Sequence, residues 1–140
     1  MNNVITNCLW VDGQAKEMAE YYCGIFPNSK ITSENPIVVT FDLNGNKFMA
    51  LNGGPKFKFN ESISFMISCD TQAEIDHYWN QLTTGGQESM CGWLLDKFGV
   101  SWQVVPSMLG KLMSNPETAG KVTQKFMNMR KFIIADLMDV

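Results

Sequence analysis

The chain is short of histidine, of closely spaced cysteines and of long apolar runs, and each shortage removes a class of function. His77 is the single histidine in 140 residues. The four cysteines stand at 8, 23, 69 and 91, and no pair has the C-x-x-C spacing of a metal hook, so no structural zinc site is expected. No apolar run approaches the ~20 residues that cross a bilayer, so no membrane partner is expected. There is no basic run either. Lys and Arg total 11 against 14 Asp and Glu, a net charge of −3 with a pI near 5.0. Nucleic-acid binding needs a clustered positive footprint and is excluded on that ground. Gly53-Gly54 lacks the Gly-x-Gly-x-x-Gly and Walker spacings, so it is not a phosphate loop. The start, Met1-Asn2-Asn3-Val4-Ile5, has neither the charged segment nor the apolar segment of a secretory signal. Four cysteines allow three disulfide connectivities, but without a signal the expectation is reduced thiols and a cytoplasmic location.

What is present is apolar: 45 % hydrophobic residues against 18 % charged, with ten methionines and four tryptophans. That composition builds a packed core, and the length suits a single domain over 1–140. Val4 to Val11 is rich in strand formers and leads to Asp12-Gly13, where Asp12 is the expected helix cap. Ala15, Met18, Ala19, Tyr22, Cys23 and Phe26 then recur at helical spacing. Strands are expected at 30–34, 37–43 and 47–52, the last two joined by Asn44-Gly45, which tolerate the positive φ of a tight hairpin turn. After a turn-rich linker the order repeats. Ser62 to Cys69 is a strand. Thr71-Gln72-Ala73-Glu74 is a capping box. Ile75, Tyr78, Trp79 and Leu82 are a helical stripe, and short strands follow at 87–90, 91–96 and 99–105.

Leu9-x-Val11 aligns with Phe65-x-Ile67, and Gly45-Asn46-Lys47-Phe48 with Gly99-Val100-Ser101-Trp102. The fold class is therefore α+β: two βαβββ modules, at about 1–57 and 60–106, forming a curved mixed sheet around a shared cleft. A C-terminal helical tail fills about 107–140. In it Asn115 caps, Pro116 opens the first turn, and Ala119, Val122, Phe126 and Met129 form a stripe that needs a partner surface. Residues 130–138 read as a further helix.

Alternation along the strands separates two faces. Ile63, Phe65, Ile67 and Cys69 are expected under the helices. Ser62, Ser64, Met66 and Ser68 face the other way. The mixed faces, with Trp10, Met49, Ser62, Ser64, Met66 and Gln103, suit a ligand pocket of apolar walls with few polar groups, the alternative being a solvated sheet face. On this assignment Ser64→Leu costs little stability, and Phe65→Ala costs about 3–5 kcal/mol.

The chain resembles the PhnB-like group of the vicinal-oxygen-chelate superfamily, which holds glyoxalases, bleomycin-resistance proteins and extradiol dioxygenases. The resemblance rests on Leu9-Trp10-Val11-Asp12-Gly13-Gln14-Ala15, on Leu51-Asn52-Gly53-Gly54-Pro55, on Cys91-Gly92-Trp93-Leu94 through Asp96-Lys97-Phe98-Gly99, and on Val100-Ser101-Trp102-Gln103-Val104-Val105-Pro106. Group members often carry the label demethylubiquinone methyltransferase. The resemblance implies a homodimer. It also implies four metal-ligand places, which align with Thr6, Met49, Ser62 and Gln103. None of these is His, Asp or Glu, and a divalent ion usually needs such donors to offset its dehydration. The expectation is a small-molecule-binding protein without a metal or other cofactor. The alternatives are the superfamily's metal-dependent lyase, isomerase or dioxygenase chemistry, or the methyl transfer named in the label, for which no Gly-rich cofactor turn is present.

Single residues divide the same way. His77 lies about 200° round its helix from the apolar stripe and reads as a surface residue. Asp70 and Asp96 read as cap and turn residues rather than general bases. Cys91 reads as a structural thiol, since no histidine stands near it to make it a nucleophile. Trp102 belongs to the core, and Trp93 to the core or a pocket wall. Lys56 and Lys58 read as linker residues, with a basic lip over the pocket as the alternative. No catalytic residue is assigned.

Overall fold

The computed structural model describes residues 1–139. It contains two compact units, one of residues 1–58 and one that begins at residue 59.

The first unit runs β1 (Asn7–Val11), α1 (Ala15–Ile25), β2 (Lys30–Glu34), β3 (Val38–Leu43) and β4 (Asn46–Asn52). Its four strands lie in the order β1-β4-β3-β2. β1 runs parallel to β4, and β3 is antiparallel to both its neighbours. The stripe Ala15, Met18, Ala19, Tyr22 and Ile25 is buried against the alternating residues Leu9, Val11, Val39, Phe41, Phe48 and Ala50. This is the pairing that a 3.6-residue period and a two-residue period produce when both turn inward. Asn44 and Gly45 form the expected turn, with φ of 47° and 87°.

Asp12 does not cap α1. The residue before the helix, Gln14, offers no side-chain cap. Instead Asn52 at the end of β4 accepts the Ala15 N–H at 2.9 Å and donates to the Pro36 carbonyl at 3.1 Å. Because β1 and β4 pair in parallel, with Val11 opposite Asn52, a residue 37 positions away becomes the nearest acceptor.

The second unit repeats the plan with β5 (Ser64–Cys69), α2 (Gln72–Thr83), β6 (Gln87–Glu88), β7 (Trp93–Leu95) and β8 (Ser101–Pro106), in the order β5-β8-β7-β6. β5 is parallel to β8, as β1 is to β4. The internal repeat is therefore a repeat of topology. Its hand alignment slips by two residues on one strand: Phe48 pairs with Asn7, whereas Trp102 pairs with Phe65. Thr71 caps α2 locally, accepting the Glu74 N–H at 3.2 Å, while its hydroxyl donates to the Glu74 carboxylate.

Three expectations need correction. β5 starts at Ser64 because its first partner on β8 is Ser101, so Ser62 and Ile63 precede the strand, and Ile63 is 72 % exposed rather than under the helix. Residues 91 and 92 form a turn instead of a strand. Their N–H groups donate to the Met129 and Arg130 carbonyls, at 2.7 and 2.8 Å, so the tail takes the place of a sheet neighbour. The tail itself is α3 (Leu109–Ser114), α4 (Pro116–Phe126) and α5 (Ile134–Met138), so residues 130–133 are not helical. Asn115 caps α4 as expected, accepting from Glu117 at 3.0 Å.

The tail stripe is covered only in part inside its own unit. Val122 is wholly buried, and the Phe126 ring lies 5.8 Å from that of the buried Phe132. Gln72 on α2 fastens the same segment, donating to the Phe132 carbonyl and accepting the Ile134 N–H. Gly92 is the residue that permits this docking. Its φ is +80°, and a Cβ there would stand 2.6 Å from both the Phe132 ring and the Val104 carbonyl oxygen.

Candidate functional site

Each sheet has one face under its helix and one face turned away. On the first sheet the outward rows are Cys8, Met49 and Thr40, and Trp10, Leu51 and Val38. Thr40 shares hydrogen bonds with the Thr32 and Ser33 hydroxyls. Trp10 is fixed by the chain that follows β4. Its indole N–H donates to the Gly54 carbonyl at 2.9 Å, and the Phe57 ring meets it edge-on at 5.0 Å. Gly53 lies against the indole so closely that any Cβ would overlap the ring. The Leu51-Asn52-Gly53-Gly54 segment thus holds Trp10 in place and caps α1.

On the second sheet the outward row is Met66, Gln103 and Trp93, with Ser64 opposite Ser101 in the row before. α3 and α4 lie over this face. Between them is a cleft of about 440 Å³, walled by Met66, Trp93, Gln103 and Val105 from the sheet and by Leu109, Met113 and Phe126 from the tail. Ser68, Cys91 and Ser107 add the remaining polar atoms. Gln103 donates to the Ser64 hydroxyl at 2.9 Å. Ser64 is therefore a support for Gln103, and Ser64→Leu would strip that amide of its partner as well as add volume. A second cleft of about 450 Å³ lies along β6 and β7, lined by Glu61, Gln87, Ser89, Leu94 and Leu95, with Trp93 shared between the two.

Of the six residues read from the sequence as pocket-lining, Met66 and Gln103 line the tail-covered cleft, and Ser64 touches Gln103. Ser62 sits in the turn before β5, its N–H and hydroxyl both donating to Asn60 Oδ1. Trp10 and Met49 belong to the outward face of the first unit. Sequence reading missed the tail's contribution, Leu109, Met113 and Phe126. Alternation along strands carries no signal for a helix that folds back over them.

Asp96 and the thiols of Cys69 and Cys23 have structural surroundings, whereas Cys91 lines the cleft. The buried Asp96 carboxylate accepts from the Phe98 and Val100 N–H groups and from the Trp102 indole at 2.8 Å, closing the β7–β8 turn. Burial, with the Glu74 and Asp70 charges behind it, pushes the Cys69 thiol up to about 11, so it stays protonated and unreactive at neutral pH. Burial, and then the Asp42 carboxylate, raises the Cys23 thiol as well. Tyr78 is raised by burial first, then by the neighbouring Cys69 and Glu74. His77 is exposed, as its place on α2 implied.

The superfamily's metal does not fit these residues. Among the described residues no three His, Cys, Asp or Glu side chains gather into a group that would hold an ion. Thr6, Met49, Ser62 and Gln103 supply no anionic donor, and only the Gln103 amide oxygen is a good neutral one. A divalent cation usually needs anionic or imidazole donors to offset the loss of its water shell.

Two βαβββ units, each with its first and last strands parallel and a helix on one face, define the glyoxalase-like, vicinal-oxygen-chelate class. Residues 3–105 match the family described as 3-demethylubiquinone-9 3-methyltransferase, and the chain belongs to that family, in its PhnB-like group. The PhnB protein from Bacillus cereus is 31 % identical over 74 % of this chain and 99 % of that one, with a TM-score of 0.68. A protein from Pseudomonas aeruginosa is 20 % identical over 75 % of this chain and 98 % of that one, with a TM-score of 0.61, a likeness of fold. The fold is also shared by the fosfomycin resistance protein FosX from Listeria monocytogenes, crystallised with Mn(II) and sulfate. It is 11 % identical, with a TM-score of 0.62, over 81 % of this chain and 97 % of that one. No curated protein matches the chain. Among the described residues no helix is long and apolar enough to cross a membrane.

Proposed function

We propose that this chain is a small-molecule-binding protein of the glyoxalase-like superfamily that works without a bound metal. The observation that carries the reading is the cleft of about 440 Å³ under the tail, mostly apolar with a few oriented polar groups, the usual make-up of a ligand site. Ligand-binding roles are proposed for Ser62, Ser64, Met66 and Gln103 on the second unit, with Ser64 acting through Gln103. The same role is proposed for Trp10 and Met49 on the outward face of the first. The donor chemistry at Thr6, Met49, Ser62 and Gln103 supports the absence of a metal.

The two units are proposed to act as one domain. A homodimer is proposed chiefly from the family resemblance, since Val122 at the centre of the tail stripe is already buried. Sedimentation giving a ~16 kDa species at high micromolar concentration contradicts the dimer. Four free thiols support a reducing, cytoplasmic setting.

The test is a titration of isotope-labelled protein with a set of small aromatic compounds, followed by the Trp93 indole and Gln103 side-chain N–H resonances. Shifts confined to these groups and the tail are expected. Shifts absent from them overturn the reading. One equivalent of manganese, zinc, nickel or iron retained through dialysis, and lost in Gln103→Ala, overturns the metal-free part.

A further inference from the structure

We infer that the cleft under the tail selects an uncharged, aromatic molecule that directs one hydroxyl or N–H at Gln103. The inference rests on the proposed small-molecule site and adds its chemical class.

The first observation is the absence of any Asp, Glu, Lys, Arg or His among the described residues that line the cleft. A charged ligand would leave water there with no counter-charge to meet it, and burying an unpaired ion is costly. The chain carries 25 ionisable Lys, Arg, Asp and Glu residues, so this wall is a selection and not a shortage. Lys111 lies on α3 between the lining residues Gly110 and Met113, yet it is exposed and does not line the cleft.

The second observation is the nature of the apolar wall. Trp93 and Phe126 present ring surface, and Met66 and Met113 present thioethers. Rings and thioether sulfur both pack well against aromatic faces, and methionine adapts its shape to them.

The third observation is the state of Gln103. Its Nε2 is committed to Ser64 at 2.9 Å, which sets the carboxamide's orientation and turns Oε1 away from Ser64. Among the described residues no group donates to that oxygen. A carboxamide oxygen beside an apolar wall is a ready acceptor, and a neutral hydroxyl or N–H supplies its donor at the least desolvation cost.

Two fluorescent probes with one ring skeleton separate charge from shape. N-phenylnaphthylamine is neutral and carries one N–H; anilinonaphthalenesulfonate adds a sulfonate. Both are titrated against the full chain, against Gly110→Trp and against Met113→Lys. Gly110 lies on the α3 wall with open space where a Cβ would stand, so tryptophan there fills the cleft without a clash in the helix. The neutral probe should bind the parent chain about tenfold more tightly than the sulfonate, the burden of an uncompensated charge. Gly110→Trp should abolish binding of the neutral probe. Met113→Lys, at a position 37 % exposed, should narrow or invert the preference by offering the missing counter-charge.

Equal or tighter binding of the sulfonate, blocked by Gly110→Trp, leaves the cleft a ligand site and overturns the charge selection. Binding of neither probe, or binding that ignores Gly110→Trp, overturns the ligand site itself. Should Gly110→Trp fail to fold by circular dichroism, Met113→Lys decides: an unchanged preference overturns the inference.

Discussion

The two units share a strand order and differ in what covers the sheet face their helix leaves open. A lone βαβββ unit buries one face and exposes the other. In the first unit a few residues after β4 fold back, with Gly54 and Phe57 holding Trp10. In the second, α3 and α4 of the tail lie over part of the face, docked through Cys91, Gly92 and Phe132. The short cover fixes one side chain. The long one forms one side of an open cleft. The same topology thus yields a wall in one case and a candidate site in the other, and the covering segment makes the difference.

The largest expected effect separates the cores. Phe41 is wholly buried on β3, an inner strand of its sheet, its ring between those of Tyr22 and Phe48. Phe41→Ala should cost about 4 kcal/mol in denaturant unfolding. Phe65, on the edge strand β5, is half-buried and leans on Trp102 at 5.3 Å. Phe65→Ala should cost only about 2 kcal/mol, less than the alternation pattern alone suggests. Equal costs for the two would show that the units are equally well covered.

Next come the glycines at the covering segments. Gly92→Ala brings both a left-handed backbone penalty and overlap with a backbone carbonyl, and about 3 kcal/mol of lost stability is expected. Gly53→Ala carries no left-handed penalty but drives its Cβ against the Trp10 ring, so about 1–2 kcal/mol is expected, with a change in Trp10 fluorescence. A loss below that of Gly53→Ala would show that the tail is not held through Gly92.

Caps give a smaller contrast. Asn52→Ala removes the remote cap of α1 and a bond to the Pro36 carbonyl, for about 1–2 kcal/mol; Thr71→Ala removes a local cap, for about 1 kcal/mol. The ratio is read from urea midpoints, and a harmless Asn52→Ala would restore Asp12 as the cap.

The smallest effect is electrostatic. Hydrogen bonds from Lys131, at 2.8 Å, and from Gln72 hold the Asp76 carboxyl below its ordinary range. A carboxyl lowered in the folded state adds stability above its unfolded pKa and loses it as pH falls toward the folded one. The stability difference between the parent chain and Asp76→Ala should therefore be present at neutral pH and fade in acid below the usual carboxylate range. A difference that grows on acidification contradicts the assignment.

Much of this molecule is legible along the chain. The stripe Ala15, Met18, Ala19 and Tyr22, the Asn44-Gly45 turn, the Thr71 cap, the Asn115 cap and the doubled strand order all follow from periods and short-range hydrogen bonding. These depend on neighbours within a few residues, and such neighbours are visible in a sequence. The family resemblance follows too, because its motifs are contiguous words.

What only the tertiary structure decided is which distant groups satisfy a local need. Asn52 displaces Asp12 as a cap because parallel pairing brings the end of β4 to the start of α1. Residues 91–92 turn instead of extending β7 because the tail offers their N–H groups carbonyl acceptors. Ile63 stays exposed because β8 begins one residue too late to cover it. The cleft exists because α3 and α4 return over Met66, Trp93 and Gln103. In each case the backbone donor or apolar face is plain in the sequence. Its partner lies tens of residues away, and no local period records the distance across which the fold brings the two together.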